Sequence, residues 1–305
     1  VLRVVEPGAT LLRLSPDGAR VALAREGAEA GIYVGEARAG AARRLLSPAR
    51  GVREIAWAPD ASAVAWRAAG APPHDVERIG WAALAGGETG VADGQAFAWA
   101  ARGRALYVGD AHAGELRRHD PNGGARRLAA FEHHGGEPFA PRIAPAPGGG
   151  GLAWSARDVV AGATNVWRLG AEEGAEPELV TAIPGIDVHA LPFWSPAGVT
   201  LGLFIVHATA KRTGLVVLHG LRGEGEILYQ SEGLDAPRTP AWSPDGRSIA
   251  FVRRGRTLVS LEVATGRLHR LGDPGELDGE LRFLADGRLV VEAEACASVL
   301  APPGG

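Results

Sequence analysis

The sequence predicts an all-β protein, a seven-bladed β-propeller of four-stranded antiparallel blades whose ring is closed by the N-terminal strand. Three observations predict it. One turn motif recurs along the chain at the spacing of a propeller blade, short apolar blocks separated by turn residues follow each copy, and the last copy leaves too little chain for a whole blade while a spare strand stands at the chain start.

The motif reads Leu14-Ser15-Pro16-Asp17-Gly18, Trp57-Ala58-Pro59-Asp60, Trp194-Ser195-Pro196-Ala197-Gly198 and Trp242-Ser243-Pro244-Asp245-Gly246. Looser copies stand at Trp99-Ala100, Ala146-Pro147-Gly148 and Leu284-Ala285-Asp286-Gly287. With the serine position as anchor, the copies fall at 15, 58, 100, 146, 195, 243 and 284, which are 43, 42, 46, 49, 48 and 41 residues apart. That interval is the length of a four-stranded blade. In such a turn Pro presets φ, Asp caps through its side chain, and Gly takes the positive φ that a Cβ penalises. It belongs between a blade's innermost and second strands, with the preceding apolar residue, often Trp, packed between blades.

Apolar strands are expected directly after each turn, over 21–24, 63–66, 105–108, 151–154, 201–206, 248–252 and 289–292. Third strands follow at 31–34, 79–84, 115–119, 165–169, 215–218 and 257–263, and fourth strands at such places as 43–46, 226–229 and 267–271. About twenty residues follow the seventh anchor, enough for two more strands and not three. Residues 2–5 lie where a fourth strand would precede the first blade. They are predicted to pair beside 298–301 and to close the ring, which leaves only short, protected edges. The whole of 1–305 thus reads as one domain.

The stretch from Ala241 to Phe251, with Trp before the Ser-Pro-Asp-Gly turn and an apolar strand after it, resembles the repeats of TolB-like propellers. The same repeats occur in the propeller domains of the prolyl-oligopeptidase family. The resemblance covers nearly the whole chain, clear at four or five repeats and faint at the third, fourth and seventh. It implies a propeller that binds a protein or peptide without catalysis, on the face carrying the blade-to-blade loops. An alternative is the substrate-gating propeller of a prolyl-oligopeptidase-like hydrolase that lacks its catalytic domain. A metal-dependent propeller enzyme is a third. Such a fold fixes none of these by itself.

Composition narrows the partners. A net charge of -3 with interspersed signs offers no basic stripe for a phosphate backbone, so nucleic acid is not expected. No apolar run approaches the length of a membrane span. Cys296 is the only cysteine, which rules out an internal disulfide and a cysteine-rich zinc site; a buried, inert thiol is expected. Because the chain opens at Val1, a signal peptide removed upstream would make the protein exported or periplasmic.

No nucleophile elbow, zinc-protease helix or phosphate-cradling loop occurs, and no cofactor is expected. Ser195 and Ser243 are turn residues, and the run 148–151 leads into a strand, a loosened turn rather than a nucleotide loop. By topology, second-to-third strand loops and blade-to-blade connections share one face. That face should carry rim residues His74, Asp110, His112, His134 and Glu137. The adjacent His133 and His134, flanked by Glu132 and Glu137, invite a metal reading; but neighbours on an extended segment point opposite ways, so no metal site is assigned. Near the starts of the innermost strands, Arg53, Glu54, Arg142, His189, Arg238 and Glu280 should approach the channel mouth. Arginines gathered there from several blades would suit an anionic group on a protein or peptide partner.

Overall fold

The computed structural model describes residues 2–38, 43–70, 76–86, 89–101, 105–120, 124–130, 142–158, 163–172, 174–181, 188–207, 211–219, 225–232, 240–253, 257–272, 280–293 and 296–300. Seven antiparallel blades follow one another in sequence. Their innermost strands are Ala9–Leu14, Val52–Trp57, Ala96–Trp99, Ile143–Pro145, Val188–Trp194, Ala241–Trp242 and Glu280–Phe283. The seventh blade takes Leu2–Val5 as its outer strand, antiparallel to Cys296–Leu300, with Leu2 opposite Val299 and Val5 opposite Cys296. The ring therefore closes through the N-terminus, as the count of strands predicts.

The repeat has one hydrogen-bond signature. The anchor N–H donates to the carbonyl five residues on in six blades, from Ser15 to Arg20 (2.8 Å) through Ser243 to Ser248 (2.8 Å), and four residues on from Leu284 to Arg288 (2.8 Å). The third and fourth repeats, faint in sequence, obey it as the clear ones do, and the seventh closes one residue shorter. Asp Oδ1 caps the turn where Asp is present, accepting from Ala19, Ser62, Arg247 and Arg288 N–H at 3.0–3.1 Å. Gly18, Gly198, Gly246 and Gly287 take φ of 72°, 69°, 70° and 84° at the third residue past the anchor. In the second blade Ala61 holds the same place at φ 56°. Its methyl is buried in the apolar cluster shared with the first blade, which offsets the left-handed strain.

The core lies between blades. Val4, Leu12, Val21, Val290 and Val299 join the seventh blade to the first, and Phe193, Phe204, Trp242, Ile249 and Phe251 join the fifth to the sixth. Tryptophans before the anchors add polar ties: Nε1–H of Trp57, Trp99 and Trp194 donates to the carbonyls of Arg13, Ala56 and Ala144 in the preceding blade at 3.0, 3.1 and 2.9 Å. Trp242 departs from the pattern. Its ring tilts against Phe193, 6.1 Å between centroids, and its buried Nε1 has no partner among the described residues. The fourth blade is the least regular, its outer strand reduced to Glu178–Leu179 and a parallel bridge joining Thr164 to His189 of the fifth. Cys296 is half-buried rather than buried, since it opens a strand at the seam opposite Val5 and Ala293. No helix among the described residues is long and apolar enough to cross a membrane.

Candidate functional site at the channel mouth

Glu54, Arg142 and Glu280 each stand four residues before an anchor, Ala58, Ala146 and Leu284, so equal register sets them at one level on the innermost strands of the second, fourth and seventh blades. Strand ends hold them there. Ser155, fully buried, fixes Arg142 by accepting its N–H at Oγ (2.9 Å) and donating its own N–H to the Arg142 carbonyl (2.9 Å). The pairing of the second blade skips Arg53, matching Val52 to Ala68 and Glu54 to Arg67. A bulge of this kind re-aims a side chain. Arg53 turns outward, 61% exposed, to Glu77 at 3.0 Å.

Glu280 and Arg142 both act electrostatically on Glu54. Burial pushes the Glu54 carboxyl above the usual carboxylate range, and Glu280 pushes it further, while the Arg67 and Arg142 guanidinium groups pull it back. Its side chain keeps 26% of its surface open, so the burial is that of a narrow channel and not of a dry core. Arg67 bridges Glu54 (3.1 Å) and Glu77 (2.8 Å), giving the chain Arg53, Glu77, Arg67, Glu54 of alternating sign.

A second charge group sits at the seam. Glu280 and Glu292 stand directly opposite on paired strands, an arrangement that repels. Arg13 lies 3.9 Å from each, Arg282 lies 3.3 Å from Glu292, and the Leu14 N–H donates to Glu292 at 2.7 Å. Arg282 also donates to the Leu14 and Ser15 carbonyls at 2.7 and 3.1 Å. Glu292 is almost wholly buried, and its partners satisfy it.

Of the sequence-predicted residues, the structure brings Glu54, Arg142 and Glu280 together and links Arg53 to them through Glu77 and Arg67. His189 lies on the innermost strand of the fifth blade opposite Val206. On the rim, Asp110 accepts the His112 and Ala113 N–H at 2.9 and 3.0 Å, capping the loop of the third blade, and His112 is exposed. Arg238, His74, His134 and Glu137 lie outside the described residues. Sequence reasoning missed Arg67, Glu77, Arg13, Arg282 and Glu292, which enter from second strands, loops and positions two before an anchor. Among the described residues no three of His, Cys, Asp and Glu gather as a metal would need.

Seven blades around an axis with a mixed-charge mouth define a β-propeller. Among solved structures it is similar to oligogalacturonate lyase in complex with manganese (13% identity over 99% of this chain and 91% of that one, TM-score 0.68). It is similar also to Kuenenia stuttgartiensis hydrazine synthase (13% identity, 98% and 97% covered, TM-score 0.67). TolB from Acinetobacter baumannii is matched at 14% identity over 90% of this chain and 64% of that one, with TM-score 0.54. At these identities the likeness is one of fold. No family model matches the chain, and no curated protein does.

Proposed function

We propose that this propeller is a binding scaffold that takes a protein or peptide on the face of the blade-to-blade connections and seats an anionic group of that partner at the channel mouth, on the Arg142 side of the ring. One observation carries the reading: three blades hold ionisable side chains at one level around the axis, close enough that Glu280 and Arg142 both act on Glu54. The turn face is built differently, its Ser and Asp side chains bonding within their own turns. A ring of both signs selects by charge pattern, with guanidinium groups for a carboxylate and Glu54 and Glu280 repelling one placed wrongly.

The test is a peptide array of free and amidated C-termini and acidic side chains, read against the purified chain and its Arg142→Gln and Glu280→Gln variants at two salt concentrations. Free or acidic peptides should bind, weaken with salt, and lose about tenfold in affinity to Arg142→Gln. Binding that ignores both substitutions would place the partner elsewhere on the ring.

A further inference from the structure

A cleft of about 270 Å³ lies on the opposite face, between the third and fourth blades. The register of the third blade builds one wall. Tyr107 pairs with Arg118, and Arg118 with Arg126, so the three side chains form a row across neighbouring strands. Two guanidinium groups directly opposite each other repel, a cost the protein bears without an internal remedy for both. Arg118 has Asp120 at 2.8 Å; Arg126 is exposed and has no hydrogen-bond or ion-pair partner among the described residues. Tyr107 is 9% exposed, lines the cleft, and has no hydrogen-bond partner among the described residues. Burial raises its pKa, the two arginines opposing, so the hydroxyl keeps its proton at neutral pH and remains a donor.

The floor comes from the fourth blade, where Gly149 and Gly151 carry positive φ and bring bare backbone to the cleft. A Cβ at Gly151 would lie 2.1 Å from the Leu169 carbonyl oxygen, so no side chain can take up that space. Glu172 also lines the cleft.

We infer that this cleft binds a small organic anion, its doubly charged oxyanion bridging Arg118 and Arg126 and accepting from the Tyr107 hydroxyl. A guanidinium pair set side by side matches the oxygens of a phosphate or of paired carboxylates, and the volume holds a body of sugar-like size. Phosphate monoesters and polycarboxylates share this chemistry.

Calorimetric titration of the purified chain with glycerol 2-phosphate and with citrate, at constant ionic strength in chloride, separates the two sources. At least one probe should saturate, and the tighter one identifies the class. Arg126→Gln should weaken it about tenfold or more, and Tyr107→Phe less. Because Arg126 is exposed and stands opposite Arg118, its variant should melt at or slightly above the wild type when no anion is present. The inference is overturned if neither probe saturates below about 10 mM, or if Arg118→Gln and Arg126→Gln bind as the wild type does. Since Arg142 belongs to the other face, failure here leaves the scaffold reading standing, and the reverse holds too.

Discussion

Gly198 and Gly246 occupy one position in two repeat turns, with φ of 69° and 70°, and differ in what surrounds them. A Cβ at 246 would meet nothing nearer than Pro196 Cδ at 4.0 Å, whereas a Cβ at 198 would lie 2.8 Å from the Pro147 carbonyl oxygen in the neighbouring blade's turn. Replacing either by Ala imposes a left-handed residue at about 1–2 kcal/mol and recovers about 0.4–1 kcal/mol from a stiffer unfolded chain. Gly246→Ala should therefore cost about 0.5–1 kcal/mol, and Gly198→Ala about 1–3 kcal/mol more from overpacking. With about 2.1 cal/mol/K of unfolding entropy per residue, 1 kcal/mol moves the Tm of this chain by about 1.6 °C. Calorimetry should thus find Gly246→Ala lower by about 1–2 °C and Gly198→Ala by about 2–6 °C. Gly246→Val, with its branched Cβ, should cost about 1–3 kcal/mol. Equal shifts for the two alanine variants would refute the close approach of adjacent turns, and a neutral Gly246→Val would refute the turn geometry.

Deleting residues 1–8 removes the strand that pairs with Cys296–Leu300, the buried Val4, and the Glu6 ion pairs to Arg25 (3.2 Å) and Arg43 (3.0 Å). Stability should fall by about 3 kcal/mol or more, and size-exclusion chromatography should show association through the exposed edge; an unchanged, monomeric product would move the seam. Trp194→Phe breaks a bond to the Ala144 carbonyl, whereas Trp242→Phe removes an N–H that has no partner among the described residues, so urea titration should find the first costlier by about 1 kcal/mol or more. Glu54, raised in the folded state, penalises folding once it must ionise. The gain in Tm from Glu54→Gln should be absent below the unfolded carboxylate value, near pH 4, and grow as pH rises through the folded one. Asp245 is lowered by the Ser243 hydroxyl and the Arg247 N–H, so Asp245→Asn should show the opposite trend, its loss of stability full above that value and fading as pH falls through the lower folded one.

The blades were readable from sequence because a turn is a local device: proline, aspartate and glycine in a row state their own φ angles, and counting residues between turns gives the strands. The seam was readable from arithmetic, a missing strand at one end and a spare at the other. The level of Glu54, Arg142 and Glu280 follows from the same counting. The fate of Arg53 does not, because the bulge that turns it toward Glu77 is a shift in the register of two paired strands, which no local motif announces. Arg67 and Glu292 belong to second strands and reach the mouth or the seam only after the blades twist and pack. The row of Tyr107, Arg118 and Arg126 needs the register of three strands at once, and its one sequence signal is the hairpin that folds His119 back onto Ala125.

The bonds from Leu14 to Glu292 and from Arg282 to Leu14 span 278 and 268 residues. On a ribosome adding about 5–20 residues per second, the segment Leu2–Val5 is made about 15–60 s before its partner Cys296–Leu300. For that interval the nascent chain trails an apolar strand with nothing to pair with. The architecture that leaves the finished ring without an open edge leaves the growing chain with one, and only the strand Cys296–Leu300 retires the hazard.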